Sequence, residues 1–221
     1  MAQLLFDRHS TTVHLNIVKR HIRLARQVKG AEMLVTAIEP AYNELQAKAA
    51  DTSKAADETE FKRDLLTFHD VALDDCLRDL NEASKKYDRD NPGIPVTTLL
   101  FPEGLSPFVY APIESEPALV EQLIAGIGSL GKHPLAVHIA PLQEAAGKCK
   151  TAIAELKTAI TAEKMAEALE SIAKTNLTRQ YEQNIYAASA KFGKTFANRL
   201  FTRINPQKKS ESGAKKSSGA Q

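Results

Sequence analysis

Residues 10–50 read STTVHLNIVKRHIRLARQVKGAEMLVTAIEPAYNELQAKAA, and the class of fold is decided there. Val13, Ile17, Leu24, Val28, Ala31, Val35, Ile38, Tyr42 and Leu45 recur mostly at steps of three and four, with Arg20 filling the one gap of seven. That is the period of a single buried helical face, because about 3.6 residues make one turn. Ser10, Thr11 and Thr12 supply hydroxyls able to cap the first amides of such a helix. Gly30 and Pro40 interrupt it. Pro40 lacks an amide donor and crowds the preceding turn, so a kink or a break is expected there.

The same period continues downstream. Phe61, Leu65, Phe68, Ala72, Cys76, Leu80, Ala83 and Tyr87 predict a second apolar face, capped by Asp57 or Thr59 after a polar turn at 51–57. Asp90-Asn91-Pro92-Gly93 ends it. Helices joined by so short a turn should lie antiparallel. A third helix is expected from Pro134 or Pro141 through Leu142, Ala146, Cys149, Ile153, Leu156 and Ile160. A fourth carries Leu169, Ile172, Leu177, Tyr181, Ile185, Ala188, Phe192, Phe196 and Leu200, with Gly193 as its weak point and an end near 204–206. Its start near Thr161 has no capping box, since Lys164 stands where Glu or Gln would, so one continuous helix fits equally well.

Residues 91–117 differ in kind. Six of the chain's ten prolines, Pro92, Pro95, Pro102, Pro107, Pro112 and Pro117, alternate there with Leu99, Leu100, Phe101, Leu105, Phe108, Val109 and Tyr110. A connection this long either packs on the bundle or serves a function. At most one short strand, 96–101, is expected in it. A short helix follows over 118–130, broken by Gly126, Gly128 and Gly131.

The expected fold is therefore all-α: an elongated antiparallel bundle of about four long helices, in two αα-hairpins at 10–90 and 135–204. A single domain over 1–205 would be followed by a basic tail, 206–221, which has too little to bury and should be disordered. A chain of 221 residues that is 43% hydrophobic has enough apolar mass for such a core. Its start lacks the pattern of a secretory signal, and no stretch approaches the ~18 consecutive apolar residues of a membrane span, so a cytoplasmic address is the expectation. Cys76 and Cys149, isolated within apolar stripes, read as reduced core residues.

The search for chemistry returns little. Bundles hold di-iron centres with Glu-x-x-His pairs, but the residues three before the six histidines are Phe6, Thr11, Val18, Leu66, Leu130 and Leu135. His14 and His21, two turns apart, read as part of a solvated basic face beside Lys19, Arg20, Arg23 and Arg26. His69 and Asp70 with Asp74, Asp75 and Asp79 read as a charged helix surface. Gly-x-Ser-x-Gly is absent, and the Gly126-x-Gly128-x-x-Gly131 spacing lacks the preceding strand that a dinucleotide site requires, so it reads as a flexible joint. No cofactor, metal or small-molecule ligand is expected.

Two surfaces remain. Leu99, Leu100, Phe101, Leu105, Phe108 and Tyr110, left exposed, would bind a protein partner. Lys191, Lys194, Arg199, Arg203, Lys208 and Lys209 form a basic end suited to anions. From 174 to 221 ten lysines and arginines face only Glu182 and Glu211, which leaves the rest of the chain mildly acidic. The expected function is a non-enzymatic structural or protein-interaction bundle that self-associates or docks on a protein. The alternative is a nucleic-acid-associated protein that grips phosphate with its last helix and tail.

Overall fold

The computed structural model describes Ala2, residues 4–93 and residues 95–201. Among them there is no strand. Seven α-helices follow in order: α1 Thr11–Ala25, α2 Glu32–Asp90, α3 Val96–Leu100, α4 Ser106–Val109, α5 Glu116–Ser129, α6 Ile139–Phe192 and α7 Lys194–Leu200, with a 3-10 turn at Pro134–His138. The fold is an all-α bundle in which the two long helices α2 and α6 pack against each other. The described residues up to Ala49, with those from Glu170 onward, form one compact unit, and Ala50–Leu169 form the other.

The turns lie elsewhere than the sequence pattern placed them. Ser10 does cap α1, its hydroxyl accepting from the Val13 amide at 3.4 Å. Of the two expected interruptions of the first segment, Gly30 is a full break, taking φ +88° between α1 and α2, a left-handed conformation open chiefly to glycine. Residues 51–57 are helical throughout, as is the region around Thr161. Asp, Thr and Ser cost only a few tenths of a kcal/mol each in a helix, and packing overrides them. Pro40 is accommodated inside α2, and Gly193, φ +81°, separates α6 from α7. The segment expected as a strand, 96–101, is α3 with its C-cap, and α5 runs through Gly126 and Gly128. The expected tail, 206–221, and the expected end of the last helix at 204–206 lie outside the described residues.

In the first unit, Ile17, Val18, Leu34, Ile38 and Leu45 pack with Leu177, Tyr181 and Ala188, and Leu200 and Phe201 close the cluster. In the second, α2 presents Leu66, Leu73, Leu77 and Leu80, and α6 presents Leu142, Ala146, Cys149 and Ala152. The connection packs on this pair through Val96, Leu100, Phe101, Val120, Leu123 and Ile127, so one side of the second unit's α2–α6 pair is covered. At roughly 25 cal/mol per Å² of apolar area, such burial is what orders a proline-rich segment.

Candidate functional site

Asp88, near the end of α2, accepts the amides of Val96 at 2.8 Å and Thr97 at 3.0 Å, and so supplies the cap that Pro95 cannot give to α3. The Thr97 side chain, and then these two amides, hold its carboxyl below the usual aspartate range. Anchored this way, the connection divides the expected partner-binding set. Leu100 and Phe101 are buried, and Leu105 and Phe108 pack against the core, Phe108 meeting Phe101 edge-on at 5.4 Å. Leu99 and Tyr110 remain outside, 63% and 84% exposed. Leu99 lines a cleft of about 230 Å³ with Leu100 and Phe108, so three of the six expected residues meet there, while Leu105 and Phe101 belong with the core and Tyr110 stays exposed.

The basic end is also partly committed. Lys191 donates to the Gly30 carbonyl at 2.7 Å and lies 5.6 Å from the centre of the Phe192 ring. Lys194 and Arg199 sit on α7 with exposed side chains. Arg203, Lys208 and Lys209 lie outside the described residues.

The buried polar groups are where the sequence reading needs correction. His14 and His21, expected on a solvated face, are both buried. His21 donates from Nδ1 to the Leu200 carbonyl at 3.3 Å and accepts at Nε2 from the Asn184 amide at 3.2 Å. Asn184 also donates to the Leu34 carbonyl at 2.7 Å, and its oxygen accepts from Gln180 at 3.3 Å. Phe201 stacks on the His21 ring at 4.2 Å, and Tyr181 meets both rings edge-on. Burial lowers the His21 pKa to about 4, so the ring is neutral and fits a donor on one side and an acceptor on the other. His14 donates to the Ser10 carbonyl at 3.1 Å, while its Nε2 is buried without a partner. Burial lowers its pKa too.

In the second unit Asp70 and Asp74 are half-buried and act on Glu116, the first residue of α5, while Asp75 and Asp79 stay on the charged surface. Glu116 is 3% exposed. Burial, then the hydrogen bond and the negative charge of Asp70, push its carboxyl up to about 8, with Asp74 adding to the effect. The raised pKa favours the protonated carboxyl, and its Oε1 is buried without a partner. Asp74 is itself raised by burial, against the Arg78 guanidinium at 2.9 Å. Burial, then the charges of Glu116 and Asp70, push the Cys149 thiol up to about 11, and burial likewise raises Cys76, so both are shifted toward the neutral thiol. No set of three or more metal-ligating side chains is assembled among the described residues.

The side of the second unit's α2–α6 pair that the connection leaves bare has a different character. Phe61 and Phe68 are 57% and 69% exposed, with half-buried Leu65 and Ala72 between and beyond them. Adjacent clefts run along this side. One of about 260 Å³ is lined by Phe68, Ala72, Cys76 and, from α6, Pro141 and Ala145. A second of about 450 Å³ is lined by Leu65, His69, Lys148, Thr151 and Glu155. A third of about 430 Å³ is lined by Glu58, Lys62, Thr158, Ala159 and Ala162. Lys62 bridges two of them, donating to Glu155 at 3.0 Å. The sequence pattern marks Phe61, Leu65, Phe68 and Ala72 as an apolar face but assigns it to the core. The second half of that expected stripe does join the core, Leu80 within it and Cys76, Ala83 and Tyr87 packed against it, but Leu66, Leu73 and Leu77 take the core positions beside the first half, which is left bare. No protein-family model, curated protein or solved structure matches the chain, and its function is read from this geometry.

Proposed function

We propose that the chain is a non-enzymatic structural protein whose second unit docks on another protein molecule. The observation that carries this reading is the asymmetry of the α2–α6 pair. One side is closed by the connection and α5, while the other presents Phe61, Leu65, Phe68 and Ala72 beside open clefts. Single exposed apolar residues are ordinary, but two exposed phenylalanines two turns apart, joined by half-buried Leu65 and Ala72, make a continuous apolar strip of the kind found at association surfaces. The closed state of Glu116 and the raised thiols of Cys76 and Cys149 favour this reading over an enzymatic one. Phosphate binding by the basic end draws less support, since Lys191 is engaged with Gly30.

Light scattering coupled to size exclusion, with affinity capture from lysate, tests the reading. Association that is lost in a Phe61→Ser/Phe68→Ser variant of unchanged helicity is the expected result. A strict monomer that retains no partner overturns it.

A further inference from the structure

The bare face of α2 has an order to its charges. Lys54, Phe61, Phe68 and Asp75 follow one another at intervals of seven residues, two helical turns or roughly 10 Å, so they lie along one line. Glu58, Leu65 and Ala72 fall four residues after each of the first three and complete a three-four seam. Lys54 and Asp75 are exposed, as are both phenylalanines. Apart from Leu65 and Ala72, which are half-buried at the clefts, this seam meets solvent.

Read backwards, the line Lys-Phe-Phe-Asp becomes Asp-Phe-Phe-Lys. A second copy laid antiparallel, with its two-fold axis between Asp64 and Leu65, sets each Phe61 against the other chain's Phe68 and each Lys54 against the other chain's Asp75. A parallel copy would instead set Lys54 on Lys54 and Asp75 on Asp75. We infer that the bare α2 face of the second unit is occupied by the same face of a second copy, in an antiparallel two-fold pair about the position between Asp64 and Leu65. This inference rests on the docking reading above and names its partner. A two-fold interface repeats every contact, so the one line supplies two Phe-Phe layers and two Lys-Asp pairs. Asp75 already accepts from Arg78 at 3.0 Å on its own helix, an exposed bond that leaves the carboxylate accessible to a second cation.

Sedimentation equilibrium on the full chain tests the pairing through its charges. The wild type is expected at twice the 24.2 kDa chain mass. Lys54→Glu alone and Asp75→Lys alone each create two like-charge contacts and should weaken the dimer about tenfold. The combined Lys54→Glu/Asp75→Lys variant restores opposite charges and should return to within about threefold of wild type. Phe61→Glu/Phe68→Glu should give the single-chain mass with unchanged far-ultraviolet circular dichroism, and Leu65→Cys should form a disulfide-linked dimer on mild oxidation in a Cys76→Ser/Cys149→Ser background. A dimer whose dissociation ignores both single charge reversals overturns the pairing while leaving the docking reading intact. A monomer at ~100 μM, above any dissociation constant expected of a stable pair, overturns the pairing. If that monomer also captures no other protein, the docking reading falls with it, whereas capture of a different chain through Phe61 and Phe68 removes the self-pairing alone.

Discussion

The side-chain amide of Asn184 lies 2.7 Å from the Leu34 carbonyl and 3.2 Å from Nε2 of His21, so one residue of α6 holds both α1 and the start of α2. All three partners are buried. Asn184→Ala removes the only donor shown on Nε2 of His21 and opens a small void, which together should cost about 2–4 kcal/mol. Urea unfolding followed by circular dichroism measures this. A loss below about 0.5 kcal/mol would show that the network is dispensable.

His21 gives the first unit an acid limb. Its pKa is about 4 when folded against 6.5 for the unconstrained side chain, so between these values the unfolded chain binds more protons. Stability from this group is complete above pH 6.5 and falls as the pH drops toward 4, by about 3 kcal/mol in all. His14 acts in the same direction. Wild type and His21→Gln, unfolded in urea between pH 4 and 7, should differ in slope, with the variant's stability changing less across that range.

Glu116 has the opposite sign. Its carboxyl titrates near 8 when folded and near 4.5 when unconstrained, so the folded state holds the extra proton between those values and stability declines as the pH rises through them. Between 4.5 and 6.5 this decline opposes the His21 effect, which leaves pH 6.5–8 as the window in which Glu116 acts without it. Replacement by the neutral isostere, Glu116→Gln, should abolish a decline of about 1–2 kcal/mol over that window. Hydrogen exchange at residues 116–129 locates the effect, and an unchanged alkaline slope would show that the proton lies elsewhere.

Gly30 makes the turn between α1 and α2 at φ +88°, and its carbonyl accepts from Lys191. A Cβ there would meet the far end of the Lys191 side chain at 3.7 Å and the Phe192 ring at 4.0 Å, both ordinary contacts, so the cost of substitution is backbone strain and not a clash. Gly30→Ala should lower stability by about 1 kcal/mol, and Gly30→Asn by less, because Asn enters the left-handed region more readily. Equal melting temperatures for the two variants and wild type would place the turn in a different conformation.

Local signals carried a definite share of the fold. Ser10 beside α1, Gly193 between α6 and α7, and the Asp90-Asn91-Pro92-Gly93 stop after α2 are each read within one helical turn of sequence, and each stands where its chemistry puts it. Residues 51–57 were misread for the complementary reason. Their polar composition argues for a turn, but it includes neither glycine nor proline, and Ala55, Ala56 and Thr59 gain more by packing than the local propensities lose. Gly30 marks the break at 26–31, while Leu24, Val28, Ala31 and Val35 keep a helical period across it, all four being buried or half-buried on either side of the turn.

The buried polar residues and the bare face of α2 were illegible for another reason. Periodicity places His14, His21 and Asp70 at helical positions, yet whether a given side meets water or another helix depends on residues more than a hundred positions away, such as Asn184 and Leu200 for His21. Likewise, Phe61 and Leu66 belong to two apolar stripes of the same helix, and their spacing alone does not rank them. By itself, then, the sequence determined the helical class, the Ser10 cap and the stops at Gly30, Asp90-Asn91-Pro92-Gly93 and Gly193, because these arise from contacts within about four residues. Only the tertiary structure decided which α2 stripe became core, why Glu116 holds a proton, and that Phe61 and Phe68 stay in water, because burial and the electrostatics that follow from it are set by long-range packing.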